Sequence, residues 1–431
     1  MAILVEGDFT VTGVLNGKVI EGSISDKAIV AYQRGASSYN FYVRIVTSIS
    51  AQTVGSALLY GTTGGAGGHS RYDIARFNAT YALATWSNAN GGVLLQYDLW
   101  DISGSTVIEV VDDSDFNLGA ATQAYHAICV ESETVGYAVY YSASSASARL
   151  SKFTRSGASF SSVTSNDITA NNSLFGIDAL EVSKVIIIYY NGSNYPTVSA
   201  IDTSSGVSQG SAVVLESAVY TTALDIVALS PSTAVAMFED GSGQIKVCAM
   251  TVSGTTVTAG TPLQVVASGG ATRQAPGVLV KVNGATCKLC LDDGSNDVIK
   301  TFSVSSTTIS EDSTTTVDGN GNLAVFSDGS TQLVYVNDSD NDLYLQSIAN
   351  FATFYQGAGP GEGVLSEKFT LPFSGVAPNA MTLNGTLGTV VLGANAPSGQ
   401  MIVYADSPYA AGTVTDTGFP TGAAITALKW I

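Results

Sequence analysis

The sequence predicts an all-β protein: a β-propeller of about seven four-stranded units, each about 50 residues long, followed by a small C-terminal β domain. Three observations predict it. Hydrophobic residues make up 45% of the 431 residues while charged residues make up only 12%, half the usual globular share of about 25%. Such a chain covers its surface with hydroxyls and amides, as β proteins rich in Ser and Thr do. Strand-like apolar runs are bounded throughout by Gly, Asn, Asp and Ser, which is the hairpin signal. The runs also repeat at a period that suits one propeller blade.

The repeat is anchored by a β-branched or aromatic residue just after a Ser/Gly/Thr tip. Val54, Val107, Phe160, Val207, Val257 and Ile309 hold this position, at intervals of about 50 residues. The clearest copy is "MTVSGTTVTAGTP", Met250 to Pro262. It reads as a tight turn into the outermost strand of a blade.

Taken in order, residues 1–16 form an N-terminal strand and turn outside the regular unit, a candidate docking segment. Residues 17–354 hold the units. Each contains an apolar strand ending in an aromatic, as in "KAIVAY", "TYALATW", "VGYAVYY", "KVIIIYY" and "TAVAMF", with "TCKLCL" and "TQLVYV" as weaker copies. An alternating strand follows, such as "FYVRIV" or "IKVCAMTV". The doubly apolar run "VIIIYY" is expected in the first strand of its blade, packed around the axis. Units of this length exceed typical β-helix coils and fall short of immunoglobulin-like domains of about 100 residues. The Gly/Pro cluster "YQGAGPGEG" at 355–363 is a linker, and residues 364–431 form the small β domain.

Chemical motifs are sparse. The net charge of −18 argues against nucleic acid, whose binding needs cations on phosphate. The longest compact apolar run is far too short to span a bilayer, and "MAILVEGDFTVTG" lacks the form of a secretory signal. His69 lies in a glycine-rich stretch and His126 opens a strand; neither adjoins a nucleophile motif. Cys287 and Cys290 form one CxxC within a strand, where residues three apart face opposite ways, so buried structural thiols are expected. "FSDGSTQLV" at Phe326 has the wrong spacing for the repeated Asp box of glycan-cleaving propellers. Paired carboxylates for glycoside hydrolysis would come from distant loops. A weak calcium candidate is Asp338, Asp340 and Asp342, with a second in Asp318, Asn320 and Asn322. Alternate oxygen ligands in a tight loop suit Ca²⁺, but turn-forming Asp produces the same pattern. No catalytic residue or cofactor is expected otherwise.

The unit from Ala228 to Gly269, "ALSPSTAVAMFEDGSGQIKVCAMTVSGTTVTAGTPLQVVASG", resembles a repeat of tailed-bacteriophage virion structural proteins. The likeness extends to Phe175–Leu215 and Ile299–Ser310 and fades in the first three units. "GVAPNAMTLNGTLGTVVLGA", "GQMIVYADSPYAAGTVTDTG" and "GAAITALKWI" are similar to small β domains that close phage tail and head proteins. The resemblance implies a non-enzymatic virion protein: a tail fibre, appendage or head-surface component, made in the host cytoplasm without a signal peptide. It implies homo-oligomers, contacts with other virion proteins, and a host-surface glycan or protein as receptor. The alternatives are a secreted carbohydrate-active or carbohydrate-binding propeller and a Ca-dependent adhesion module.

Overall fold

The computed structural model describes residues 2–6, 17–34, 38–64, 72–88, 94–115, 126–142, 147–170, 174–220, 222–272, 278–319, 321–337 and 342–348, and six short strands beyond residue 350. Two compact units result, Met1–Asn350 and Phe351–Ile431. The first is a seven-bladed β-propeller, each blade an antiparallel sheet of four or five strands. From the inside out, blade 1 is Lys18–Glu21, Ala28–Arg34, Ser38–Ser48 and Thr53–Val54, with Leu58–Gly64 extending its edge. Blade 2 is Tyr72–Arg76, Tyr81–Asn88, Leu94–Asp101 and Ile108–Asp115, and blade 3 is His126–Ser132, Val135–Ser142, Ser147–Ser156 and Ser159–Ile168.

Blade 4 is Phe175–Glu181, Lys184–Tyr190, Pro196–Asp202 and Ser208–Gln209, with Val213–Val214 beside it. Blade 5 is Ala223–Ser230, Thr233–Glu239, Ile245–Ser253 and Thr256–Ala259, with Leu263–Val266. Blade 6 is Leu279–Asn283, Thr286–Asp292, Asp297–Ser305 and Thr308–Thr316. Blade 7 is Gly321–Val325, Thr331–Asn337 and Asp342–Ile348, and its outer strand is Ala2–Glu6. The inner strands touch in cyclic order, Gly321–Val325 meeting both Leu279–Asn283 and Lys18–Glu21. The ring is closed.

That closure corrects, at Ala2–Glu6, the reading of residues 1–16 as a segment outside the regular unit; residues 7–16 lie outside the described residues. Leu4 stands opposite Tyr344 and Ala2 opposite Gln346, so the chain's first strand completes its last blade. Ile3 and Val5 are buried among Val19, Val30 and Tyr32 of blade 1 and Leu343 and Leu345 of blade 7.

"VIIIYY" also moves. It belongs to the second strand of blade 4, not the first. Val185, Ile187 and Tyr189 pack with Tyr137 and Val139 of blade 3, while Ile186, Ile188 and Tyr190 pack with Leu224 and Phe238 of blade 5. A strand midway along a blade has a neighbouring sheet on both faces, so alternate residues feed two separate cores. Each such side chain contributes roughly 1.5–3 kcal/mol of burial. The CxxC obeys the same rule: Cys287 joins the core between blades 5 and 6, and Cys290 that between blades 6 and 7.

The Ser/Gly/Thr tips are hairpins into the outer strands. Gly157, Gly254 and Ser306 take left-handed φ values of 60°, 61° and 57° there. In the second unit Lys368–Thr370, Gln400–Ile402 and Gly393–Asn395 form one small sheet, and Thr389–Val390, Met381–Asn384 and Thr413–Thr415 another. Among the described residues no helix is long and apolar enough to cross a membrane.

Candidate functional site

The inner strands carry a recurring set of buried polar side chains. Lys18, Asp73, Asp225 and Asn322 sit at one level, each opposite the residue before an aromatic: Ala31, Thr85, Met237 and Val334. Asp73 is fully buried, and Asp225 and Asn322 nearly so. Asp178 lies on the inner strand of blade 4, half-buried.

Three of these acids make the same pair of bonds. Asp73 accepts from its neighbour Ile74 N at 2.9 Å and from Ile128 N of the next blade at 2.9 Å. Asp178 accepts from Ala179 N at 2.8 Å and from Ala228 N of the next blade at 2.8 Å. Asp225 accepts from Ile226 N at 2.9 Å and from Leu279 N at 3.0 Å. One oxygen holds its own strand and the other spans to the following blade. The carboxyl groups thus act as clamps between blades 2 and 3, 4 and 5, and 5 and 6. Lys18 of blade 1 pairs with Asp73 and adds a link between blades 1 and 2.

Burial raises the Asp73 carboxyl above its ordinary range, against the pull of Lys18 and the two N–H donors. Asp178 is pushed up to about 6, chiefly by burial, with the Ala228 and Ala179 N–H groups opposing and the Asp225 charge adding to the rise. An acid whose folded pKa lies above its unfolded value binds protons on folding, so stability is greatest below about 3.8 and is lost as pH rises through about 6. At 1.36 kcal/mol per pH unit, the loss is up to about 3 kcal/mol. Asp178→Asn is expected to flatten this part of the stability–pH curve, measured by urea unfolding between pH 4 and 7. A variant as pH-dependent as the wild type would refute the assignment.

The other reactive groups are equally enclosed. Burial, reinforced by Asp178, Glu131 and Asp73, holds the Cys129 thiol well above its usual range. Burial likewise pushes Cys248 up to about 11 and Cys287 up to about 12, so none is an activated thiolate. Burial lowers Lys288, whose Nζ donates to Thr331 Oγ1 at 2.9 Å. Glu239, raised by burial, accepts from Thr272 N at 2.9 Å and also from its hydroxyl.

Among the residues singled out in the sequence, His126 is buried at the start of the inner strand of blade 3, opposite Tyr140. His69, Asn320, Asp338 and Asp340 lie outside the described residues. Asp342 begins a strand, paired with Asn337. Asn322 is in the inner strand of blade 7, so the second calcium candidate is not the tight loop its spacing suggested; Asp318 Oδ2 instead accepts from Gln346 Nε2 at 3.0 Å. Among the described residues no group of three or more His, Cys, Asp or Glu is placed to hold a metal ion. In "FSDGSTQLV", Asp328 Oδ1 accepts from Ser330 N at 2.8 Å across a hairpin whose Gly329 has φ 82°. It is a turn-forming aspartate.

The clamps are not among the residues singled out in the sequence. Their signal was an Asp inside an apolar strand just upstream of an aromatic-ended one, as in "YDIAR", "FGIDALE" and "LDIVALS".

No protein-family model matches the chain, and no curated protein matches it significantly. Among solved structures, the chain is similar to a hydrazine synthase structure of Kuenenia stuttgartiensis at 13% identity. That match covers 79% of this chain and 98% of the other, with a TM-score of 0.51. It is similar to a lectin of Burkholderia pseudomallei at 10% identity, over 78% of this chain and 99% of the lectin, with a TM-score of 0.50. Likeness at this identity establishes the class, a β-propeller, and no activity, since one fold hosts many functions.

Proposed function

We propose that the chain is a non-enzymatic structural protein of a tailed-bacteriophage particle, a tail fibre, appendage or head-surface component that presents its propeller for host attachment. The observation that supports the non-enzymatic half is the use of three inner-strand carboxylates. Asp73, Asp178 and Asp225 each spend an oxygen on the next blade's backbone, which suits a rigid platform better than a proton-transfer site. The virion half rests on the sequence resemblance of Ala228–Gly269. On this reading the partners are other virion proteins and further copies of the chain, and the receptor is a host-surface glycan or protein.

The lectin among the similar folds makes glycan binding the first mode of attachment to examine. The deciding experiment is mass spectrometry of purified particles, with antibody labelling in electron micrographs. The chain should be present in fixed stoichiometry, and antibodies to it should block adsorption. Absence from particles, with abundance in the lysate, would overturn the virion role. Depolymerisation of host polysaccharide by the pure protein would overturn the non-enzymatic one.

A further inference from the structure

The outer strands of a propeller are sheet edges, and an edge with free N–H and C=O groups invites another strand unless it is blunted. Six of the seven edges here are blunted. Blades 4 and 5 end in strands of two and four residues, each followed by a break before a second piece of two or four residues. Blade 1 ends in Thr53–Val54 and then Leu58–Gly64, whose ladder shifts register between Phe41 and Tyr42. Blade 7 ends in the five-residue Ala2–Glu6, with a register shift between Leu4 and Glu6. Blade 2 ends in Ile108–Asp115, whose sequence carries Glu109, Asp112, Asp113 and Asp115. Blade 6 ends in Thr308–Thr316, with Glu311 and Asp312 adjacent at mid-strand.

Blade 3 differs. Its outer strand Ser159–Ile168 is ten residues long, without Pro, Lys or Arg, and Asp167 is its single charge. It is the last strand of its sheet. The ladder to Ser147–Ser156 shifts register only beside the hairpin, so Ser162 to Ile168 run without interruption opposite Thr154 to Ala148. Ser161, Ser162, Thr164 and Asn166 are exposed. The Gln209 side chain of blade 4 takes the place of a pairing strand just beyond: its Oε1 accepts from Thr169 N at 2.7 Å and its Nε2 donates to Thr169 O at 3.0 Å. Among the described residues the edge is closed at Thr169 and no strand pairs with it before that.

We infer that Ser159–Ile168 is a self-association edge, pairing antiparallel with the same strand of a second copy to join two blades into one continuous sheet. The charge pattern selects this occupant. In a chain of net charge −18, two copies approach only where like charges do not face each other. About a two-fold axis at Ser165, Asp167 falls opposite Val163, and Arg149 Nε already neutralises it at 3.1 Å. On the blade 6 edge a two-fold through the strand's centre would set Asp312 against its own copy, and the ladder shifts register at that same point. The inference deepens the self-association part of the proposed function by naming the edge that makes it, and the dimer and the virion role are tested separately.

Sedimentation through a dilution series tests it. The wild-type chain should form a dimer that dissociates on dilution, because one strand pair buries less than the 1,200–2,000 Å² typical of stable complexes. The pair Ser162→Asp and Thr164→Asp should abolish the dimer with an unchanged melting temperature. Molar salt, which cuts the screening length to about 3 Å, should partly restore it. Thr164→Lys should act likewise, and Ser313→Asp on the blade 6 edge should do nothing. A wild-type chain monomeric at every concentration, or edge variants that dimerise as it does, would overturn the inference.

Discussion

Val5→Asp is expected to unfold much of the propeller, or to lower its melting temperature by more than any surface change. Val5 is 1% exposed and sits where the first strand seals the ring between blades 7 and 1. The substitution removes an apolar group worth about 2 kcal/mol and places a carboxylate among Val19, Val30, Leu343 and Leu345. Losses beyond 4–5 kcal/mol come from such buried charges, and a domain has only about 5–15 kcal/mol in all. Glu6→Gln is the graded companion. Glu6 Oε2 accepts from Tyr32 Oη at 2.6 Å and from Arg44 Nη2 at 2.7 Å, a tie between blade 7 and blade 1. Losing that charge should cost about 1–2 kcal/mol. Hydrogen exchange gives the spatial check: Val5→Asp should strip protection first from Asp342–Ile348 and Lys18–Glu21. A variant melting within a degree or two of wild type would show that the strand does not hold the ring shut.

The same closure shows what a sequence reading can and cannot reach. The blade period was legible because most tips turn left-handed into the outer strand, as at Gln52, Gly157, Gly206, Gly254 and Ser306, which favours Ser, Gly and Thr before a β-branched residue. "AILVE" carries no such mark. Its partner Asp342–Ile348 lies at the far end of the propeller, and strand pairing is written in backbone groups that every residue possesses. The clamps of Asp73, Asp178 and Asp225 were hidden for the same reason, since their partners are N–H groups of Ile128, Ala228 and Leu279 with no side-chain signature. "VIIIYY" declared burial on both faces correctly, but periodicity cannot say whether the axis or two flanking sheets provide it. The burial of both CxxC thiols in separate cores is legible in the sequence because strand alternation alone decides which way each points.

Gly260→Ala should be the second large effect, and it explains what "MTVSGTTVTAGTP" does. Gly260 N donates to Ala249 O of its own blade at 2.9 Å, and a methyl group built on Gly260 would stand 1.9 Å from the Thr307 carbonyl oxygen, in the tip of blade 6. One blade earlier, Gly210 N donates to Ala200 O at 2.9 Å and its missing methyl would stand 1.9 Å from Thr255 O. Gly55 repeats the arrangement more loosely, bonding Ile45 O at 2.8 Å with 2.5 Å to Ser105 O. The stretch is therefore both a hook and a catch: its Thr255 tip seats on blade 4 while its Gly260 receives the tip of blade 6. Backbone presses on backbone, so no rotamer change relieves an added methyl, and Gly260→Ala must part the two blades. Overpacking of this kind costs about 1–3 kcal/mol and occasionally more. Gly254→Ala provides the contrast, because Gly254 has φ 61° but nothing within 4 Å of an added methyl, leaving only a left-handed penalty of about 1–2 kcal/mol. Thr307→Ala should fall within about 0.5 kcal/mol, since Gly260 receives the carbonyl and not the side chain. Urea unfolding of the three variants separates the explanations. Gly260→Ala must lose the most, and a Thr307→Ala chain destabilised as far would mean that the side chain, not the backbone, holds neighbouring blades together.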